Sequence, residues 1–126
     1  MRATSRLVAL CAKLGESFSC ALIDGRIRIR THFLFPDGDV IDVYVHEQDV
    51  AFTVTDLGES LRWLRMQTAG QQITAKQRRS VSDVCVHHGV EVLRDEITVH
   101  VTALESLPAA IKRLAQASLY VAYRGL

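Results

Sequence analysis

Apolar residues along this chain change their spacing several times, and each change predicts the boundary of an element. Up to residue 18 they recur every three to four positions, so that Leu7, Leu10, Cys11, Leu14 and Phe18 form one stripe of an opening helix capped by Thr4 or Ser5. From Ser19 the period falls to two. Residues 20–23 read as a short strand, Asp24-Gly25 as a turn, and residues 26–35 as a longer strand with Ile27, Ile29, Thr31, Phe33 and Phe35 on one face. Pro36-Asp37-Gly38-Asp39 makes a turn, because proline fixes φ early in it and glycine accepts positive φ later. A strand with Ile41, Val43 and Val45 inward follows, then a polar break at Glu47-Gln48-Asp49 and a third run with Val50, Phe52 and Val54 inward.

The period then returns to that of a helix. Asp56, with Glu59 three residues on, predicts a capping box and a short helix that buries Leu57, Leu61 and Leu64 and turns Arg62 and Arg65 to water. Residues 67–72 are a polar connector. Thr74 and Gln77 repeat the capping pattern before a helix ending at His88-Gly89, with Val81, Val84, Cys85 and His88 as its buried stripe. Residues 90–93 and 97–102 predict a closing hairpin around Arg94-Asp95-Glu96. A last helix starts at Ser106, with Pro108 in its first turn and Leu107, Ala110, Ile111, Leu114, Ser118 and Val121 inward. The order predicts an α+β fold in a single domain over residues 1–126: an antiparallel sheet of five or six strands, with three or four helices mainly on one face.

Composition adds few constraints. Apolar residues make up 48 % of the chain and charged residues 23 %, which excludes a disordered polyelectrolyte. The formal net charge of +1 leaves any affinity for nucleic acid to local patches. No apolar run is long enough for a membrane span and none reads as a secretory signal, so the expected location is the cytoplasm and no membrane partner is expected. Cys11, Cys20 and Cys85 are irregularly spaced and read as free, buried thiols of a reducing compartment.

Two clusters carry candidate chemistry. Asp37, Asp39 and Asp42 lie on a turn and the strand after it, a placement that suits Mg²⁺ and hence a metal-dependent nuclease or phosphodiesterase. The same residues also serve as ordinary turn and strand-surface groups, and the restriction-nuclease pattern would need a following lysine, absent between Lys13 and Lys76. The second cluster is basic. Arg26, Arg28 and Arg30 project from one face of one strand, and His32 and Tyr44 extend that face into a binding platform for phosphate or carboxylate. Sparse aromatic residues on this face weaken a nucleic-acid reading, and cross-strand pairing with Asp42 is the simpler role for Arg28 or Arg30. His87-His88 reads as helix capping and packing, and no complete set of nucleophile, base or cofactor residues is spaced for catalysis, so no cofactor is implied.

The segments Pro36-Asp37-Gly38-Asp39-Val40-Ile41, Thr55-Asp56-Leu57-Gly58 and Leu107-Pro108-Ala109-Ala110-Ile111-Lys112-Arg113-Leu114 together resemble a bacterial and phage family catalogued only as a domain of unknown function. The resemblance implies a bacterial, prophage or mobile-element setting and supplies no activity. The expected function is a small non-enzymatic binding protein that inhibits or regulates a larger bacterial protein. The apolar residues 117–123 offer a homodimer contact or complete the core.

Overall fold

The computed structural model describes residues 6, 8–12 and 19–124, and every predicted strand is present in it. The strands are β1 (Ser19–Ile23), β2 (Arg26–Leu34), β3 (Val40–Gln48), β4 (Ala51–Thr55), β5 (Glu91–Leu93) and β6 (Glu96–Val101), joined antiparallel in the order β1-β2-β3-β4-β6-β5. The helices are α1 (described over residues 6 and 8–12), α2 (Glu59–Met66), α3 (Ala75–His88) and α4 (Leu107–Arg124). This is the predicted α+β class.

Alternation decides which face is buried. Register sets Ile27 opposite Val45 and Ile29 opposite Val43, then Val45 opposite Val54 and Val54 opposite Val99, so one face is an unbroken apolar layer. Each fully buried side chain of this size contributes about 1.5–3 kcal/mol from loss of contact with water. Helix α4 packs against β2, β3, β4 and β6, and Ala110, Ala115, Ala117 and Ala122 are wholly buried in it. Such small side chains let a helix backbone lie close to a sheet. Helix α1 adds Leu10 to the core, and Arg6 ion-pairs with Glu47 while its guanidinium lies 4.7 Å from the Phe52 ring centre. The predicted cap at Thr4 or Ser5 and the inward positions Leu7, Leu14 and Phe18 lie outside the described residues.

Several local expectations change. Strand β3 runs through the expected polar break to Gln48, which pairs with Ala51, so Asp49 and Val50 form the hairpin turn. Asp49 has φ 57° and Val50 is 78 % exposed, not inward: two-residue hairpin geometry outweighs the alternation there. Between Arg30 and Leu34 the β2–β3 register shifts, and the Thr31 hydroxyl fills the irregularity by donating to the Ile41 carbonyl. The Thr74–Gln77 capping box is present in both directions, but the one expected at Asp56–Glu59 is not. Asp56 instead accepts from backbone groups, and Glu59 pairs with Arg62. Arg65, expected in water, reaches Asp95 at 3.4 Å.

The cysteines need correction too. Cys11 and Cys20 form a disulfide between α1 and β1, with Cα atoms 5.6 Å apart, and only Cys85 of the three is a buried free thiol. Irregular spacing concealed a pair that the return of the chain from helix to strand brings together. The argument for a reducing compartment loses its basis, since disulfides persist mainly in oxidising ones. Among the described residues, no helix is long and apolar enough to cross a membrane.

The bridge spans a sequence separation of 9, for which loop-closure entropy gives about 2–3 kcal/mol. Urea unfolding of the Cys11→Ser/Cys20→Ser variant is expected to show a loss of that size against the oxidised parent. Coincident curves would refute the link.

Candidate functional site

The sheet's other face is polar, and strand register fixes its layout. Arg28 stands opposite Tyr44, Tyr44 opposite Thr55 and Thr55 opposite Thr98, while His46 stands opposite Thr53 and Thr53 opposite His100. Arg26, Arg28, Tyr44 and His46 are half-buried and Arg30 is exposed, so this face keeps contact with water. Of the five predicted binding residues, Arg26, Arg28, Arg30 and Tyr44 share it. His32 falls inside the β2 register shift and is exposed.

The two halves of the face differ in charge. Toward one end, Arg26 and Arg28 neighbour His46 and His100. Burial, then the charges of Arg26 and His100, hold the His46 imidazole below its usual range, with Glu96 opposing. Arg28 Nε and His46 Nδ1 are buried without a hydrogen-bond partner among the described residues. At the other end Arg30 meets Asp42 at 3.3 Å, the cross-strand pair that the alternation predicts. Burial still pushes the Asp42 carboxyl above its ordinary value, with Arg30 and Arg28 opposing, and burial, Asp42 and Glu59 raise the Tyr44 phenol.

That acidic end is closed into a cleft by α2. The helix is aimed by Asp56, whose side chain is withdrawn from water where β4 ends. Its Oδ1 accepts from the N–H groups of Gly58 and Ile97, at 2.8 and 3.0 Å, and its Oδ2 from that of Ser60 at 3.0 Å. One carboxylate therefore ties the start of α2 to β6. Burial pushes its pKa upward, against the Ser60 hydroxyl and these N–H groups. Gly58, at φ 81°, completes the junction; a Cβ there would touch the Asp95 carbonyl at 3.4 Å.

Helix α2 then presents Glu59, Arg62, Trp63 and Met66 opposite the 36–39 turn and β3, enclosing about 330 Å³. Asp37, Asp39 and Asp42 line the near wall together with Arg30 and Tyr44. Arg30 and Tyr44 of the basic cluster thus share a cavity with the acidic one, while Arg26, Arg28 and His32 do not line it. Phe35 stacks on Trp63 with ring centres 6.1 Å apart and planes 7° from parallel. Trp63 carries no separate signal in the periodicity beyond widening the apolar stripe beside Leu64.

The three aspartates do not act as a ligand set. Asp37 Oδ1 accepts from the Asp39 N–H at 3.0 Å, Asp42 pairs with Arg30, and among the described residues no group of three or more His, Cys, Asp or Glu is arranged to hold a metal. Elsewhere, an apolar groove of about 350 Å³ between α3 and β5 is lined by Val81, Cys85, Val86, Val90 and Val92. Burial, followed by the charge of Asp56, pushes the Cys85 thiol up to about 11, a value unsuited to a nucleophile. His88 Nδ1 lies 2.9 Å from the Val84 carbonyl, a packing role at the end of α3.

The chain belongs to the family described as Domain of unknown function DUF1828, which matches residues 31–121 and so covers the acidic cluster, the cleft lining apart from Arg30, and most of α4, but begins after Arg26, Arg28 and Arg30. No curated protein and no solved structure matches it.

Two consequences can be measured. Asp56→Ala strips the acceptor from three backbone N–H groups, those of Ser60 and Ile97 buried and that of Gly58 partly so, and is expected to cost roughly 3 kcal/mol or more in urea unfolding. A loss below about 1 kcal/mol would show that the junction holds without it. For His46, the depressed folded-state pKa means the unfolded chain binds more protons between that value and 6.5, so stability falls as pH drops through the window. The His46→Gln variant is expected to lose less stability than its parent between about pH 7.5 and about pH 5.5. Equal losses would show that His46 titrates normally.

Proposed function

We propose that this chain is a non-enzymatic binding protein that inhibits or regulates a larger protein of a bacterial, prophage or mobile-element system, and that the outer sheet face is its contact surface. The observation that carries the reading is the Arg26, Arg28, Tyr44 and His46 group: half-buried, cationic through its two guanidinium groups, and holding two buried nitrogens without a hydrogen-bond partner among the described residues. Guanidinium groups seated on a strand lose little freedom on binding, so an acidic surface meets them at low entropic cost. Strand β2 gives them a rigid frame, and Tyr44 adds an amphipathic anchor of the type enriched at interface centres.

A nucleic-acid partner would use the same guanidinium groups, but the face around them offers Tyr44 with threonines and histidines, a poor platform for stacked bases. The nuclease reading has no supporting observation: Asp42 is paired with Arg30, Asp37 accepts a turn N–H, and no group of three or more His, Cys, Asp or Glu among the described residues is arranged to hold a metal.

The test is affinity capture from nuclease-treated bacterial lysate, run side by side with wild type and an Arg26→Glu/Arg28→Glu variant of unchanged melting temperature. Capture of a protein by wild type, reduced at least ~10-fold by charge reversal, is the expected result. Equal capture by both would overturn the assigned surface, and retention only before nuclease treatment would point to nucleic acid.

A further inference from the structure

The basic end of the outer face carries charge on two kinds of group. Thr53 stands opposite both His46 and His100, and Arg26 falls beside His46, one step beyond the Ile27–Val45 pair. Arg26, His46, Thr53 and His100 therefore form one line across β2, β3, β4 and β6, with Arg28 and Tyr44 in the line next to it. The guanidinium charges are permanent, whereas the imidazoles take theirs from solution near neutral pH. The cationic strength of this row is thus set in part by proton concentration.

Inside the protein, little favours the charged form of these histidines. His46 faces the positive charge of Arg26 from β2 and His100 from β6, with Glu96 of β6 as the opposing charge, while β4 presents the neutral Thr53 and its own strand the neutral Tyr44 and Gln48. Glu96 is itself engaged, its Oε1 accepting from the Thr55 hydroxyl at 3.1 Å. The Nδ1 of His46 is shut away from water with no hydrogen-bond partner among the described residues, so a proton on the ring gains no bond there. His100 is exposed, and its Nδ1 lies 4.0 Å from a Glu91 oxygen on β5, the outer limit of an ion pair.

We propose that binding at this row is proton-linked: an acidic segment of the partner, lying across Arg26, His46 and His100, draws protons onto the two imidazoles, so the chain holds its partner more tightly in mildly acidic than in neutral solution. The inference rests on the outer face being the partner surface and adds how that surface is regulated. A carboxylate above the row offsets the repulsion between Arg26, His46 and His100, and its charge acts through space without touching the shielded Nδ1. Free, His46 titrates below its usual range; under a carboxylate it titrates higher. Between those two values the complex binds more protons than its separated components, so affinity rises as pH falls through the interval.

A hexa-aspartate peptide with blocked ends is the probe, since aspartates with a pKa of about 3.9 keep their charge over the range used. Titrated into the full chain at low ionic strength, it is expected to bind at least ~5-fold more tightly at about pH 5.5 than at about pH 7.5, the scale of one imidazole pKa rising by most of a unit. Histidine Cε1 proton resonances, followed against pH with and without the peptide, are expected to show the His46 and His100 midpoints moving upward while those of His87 and His88, at the end of α3, stay in place. In the His46→Gln/His100→Gln variant the ratio between the two affinities is expected to fall below about 2-fold. Equal affinity at both pH values, unmoved His46 and His100 midpoints, a ratio that survives in the variant, or no binding at either pH would each overturn the inference. Any of these with lysate capture still sensitive to Arg26 and Arg28 would remove the proton linkage and leave the contact surface in place.

Discussion

The Asp56 carboxylate is the point at which sheet and helices are joined. It sits where β4 ends, out of water, and receives N–H groups from the next turn, the first turn of α2 and strand β6. Placing a carboxylate there is expensive, and only the simultaneous bonds offset the loss of hydration. The arrangement is correspondingly rigid: the group cannot move without leaving several backbone donors unpaired. Because α2 leaves the sheet from this anchor, the positions of Glu59, Arg62 and Trp63 follow from it. The cleft is in that sense a product of one buried carboxylate, and the same charge adds to burial in raising the Cys85 thiol.

From the sheet's other side comes a second constraint. The apolar layer under α4 leaves the partners of each alternation pointing outward, and the chain fills those places with arginine, aspartate, tyrosine, histidine and threonine. Any substitution that shifted strand register by one residue would exchange the two faces, so the polar surface is protected by the stability of the core. The β2 irregularity between Arg30 and Leu34 is where this rule is relaxed: it removes His32 from the row and lets Phe35 turn to stack on Trp63.

Legibility in the sequence followed the range of the interaction. The strands, the Thr74–Gln77 cap and the α4 stripe are set by neighbours within a few residues, and each is where the pattern puts it. Arg30 with Asp42 was readable only as far as both fall on the polar face: the turn alone would set Asp42 opposite His32, and the register shift between Arg30 and Leu34 brings it to Arg30. What escaped depends on contacts far apart in the chain. Asp56 looks like a cap until Ile97 is placed beside it; Trp63 looks like part of a helix stripe until Phe35 arrives; and Cys11 and Cys20 have no readable spacing until helix and strand meet. Val50 failed for a different reason, since a two-residue turn took a position that the alternation assigned to the core.

Opposite charges at the two ends of one sheet face give the surface a direction. A uniformly basic patch accepts an acidic partner in many orientations, whereas in the proposed complex Arg26 and Arg28 at one end and Asp37 and Asp39 at the other would favour a partner whose own charges run the opposite way. Rotating such a partner by half a turn sets like charges together, which costs more than the mismatch of a neutral contact. The Arg30–Asp42 pair lies between the two ends, on the polar face next to Arg28 and Tyr44 and before the 36–39 turn. Exposed charges of this kind add little affinity individually. In the proposed complex their value would lie in rejecting the wrong orientation, with Tyr44 supplying contact area once the right one is found.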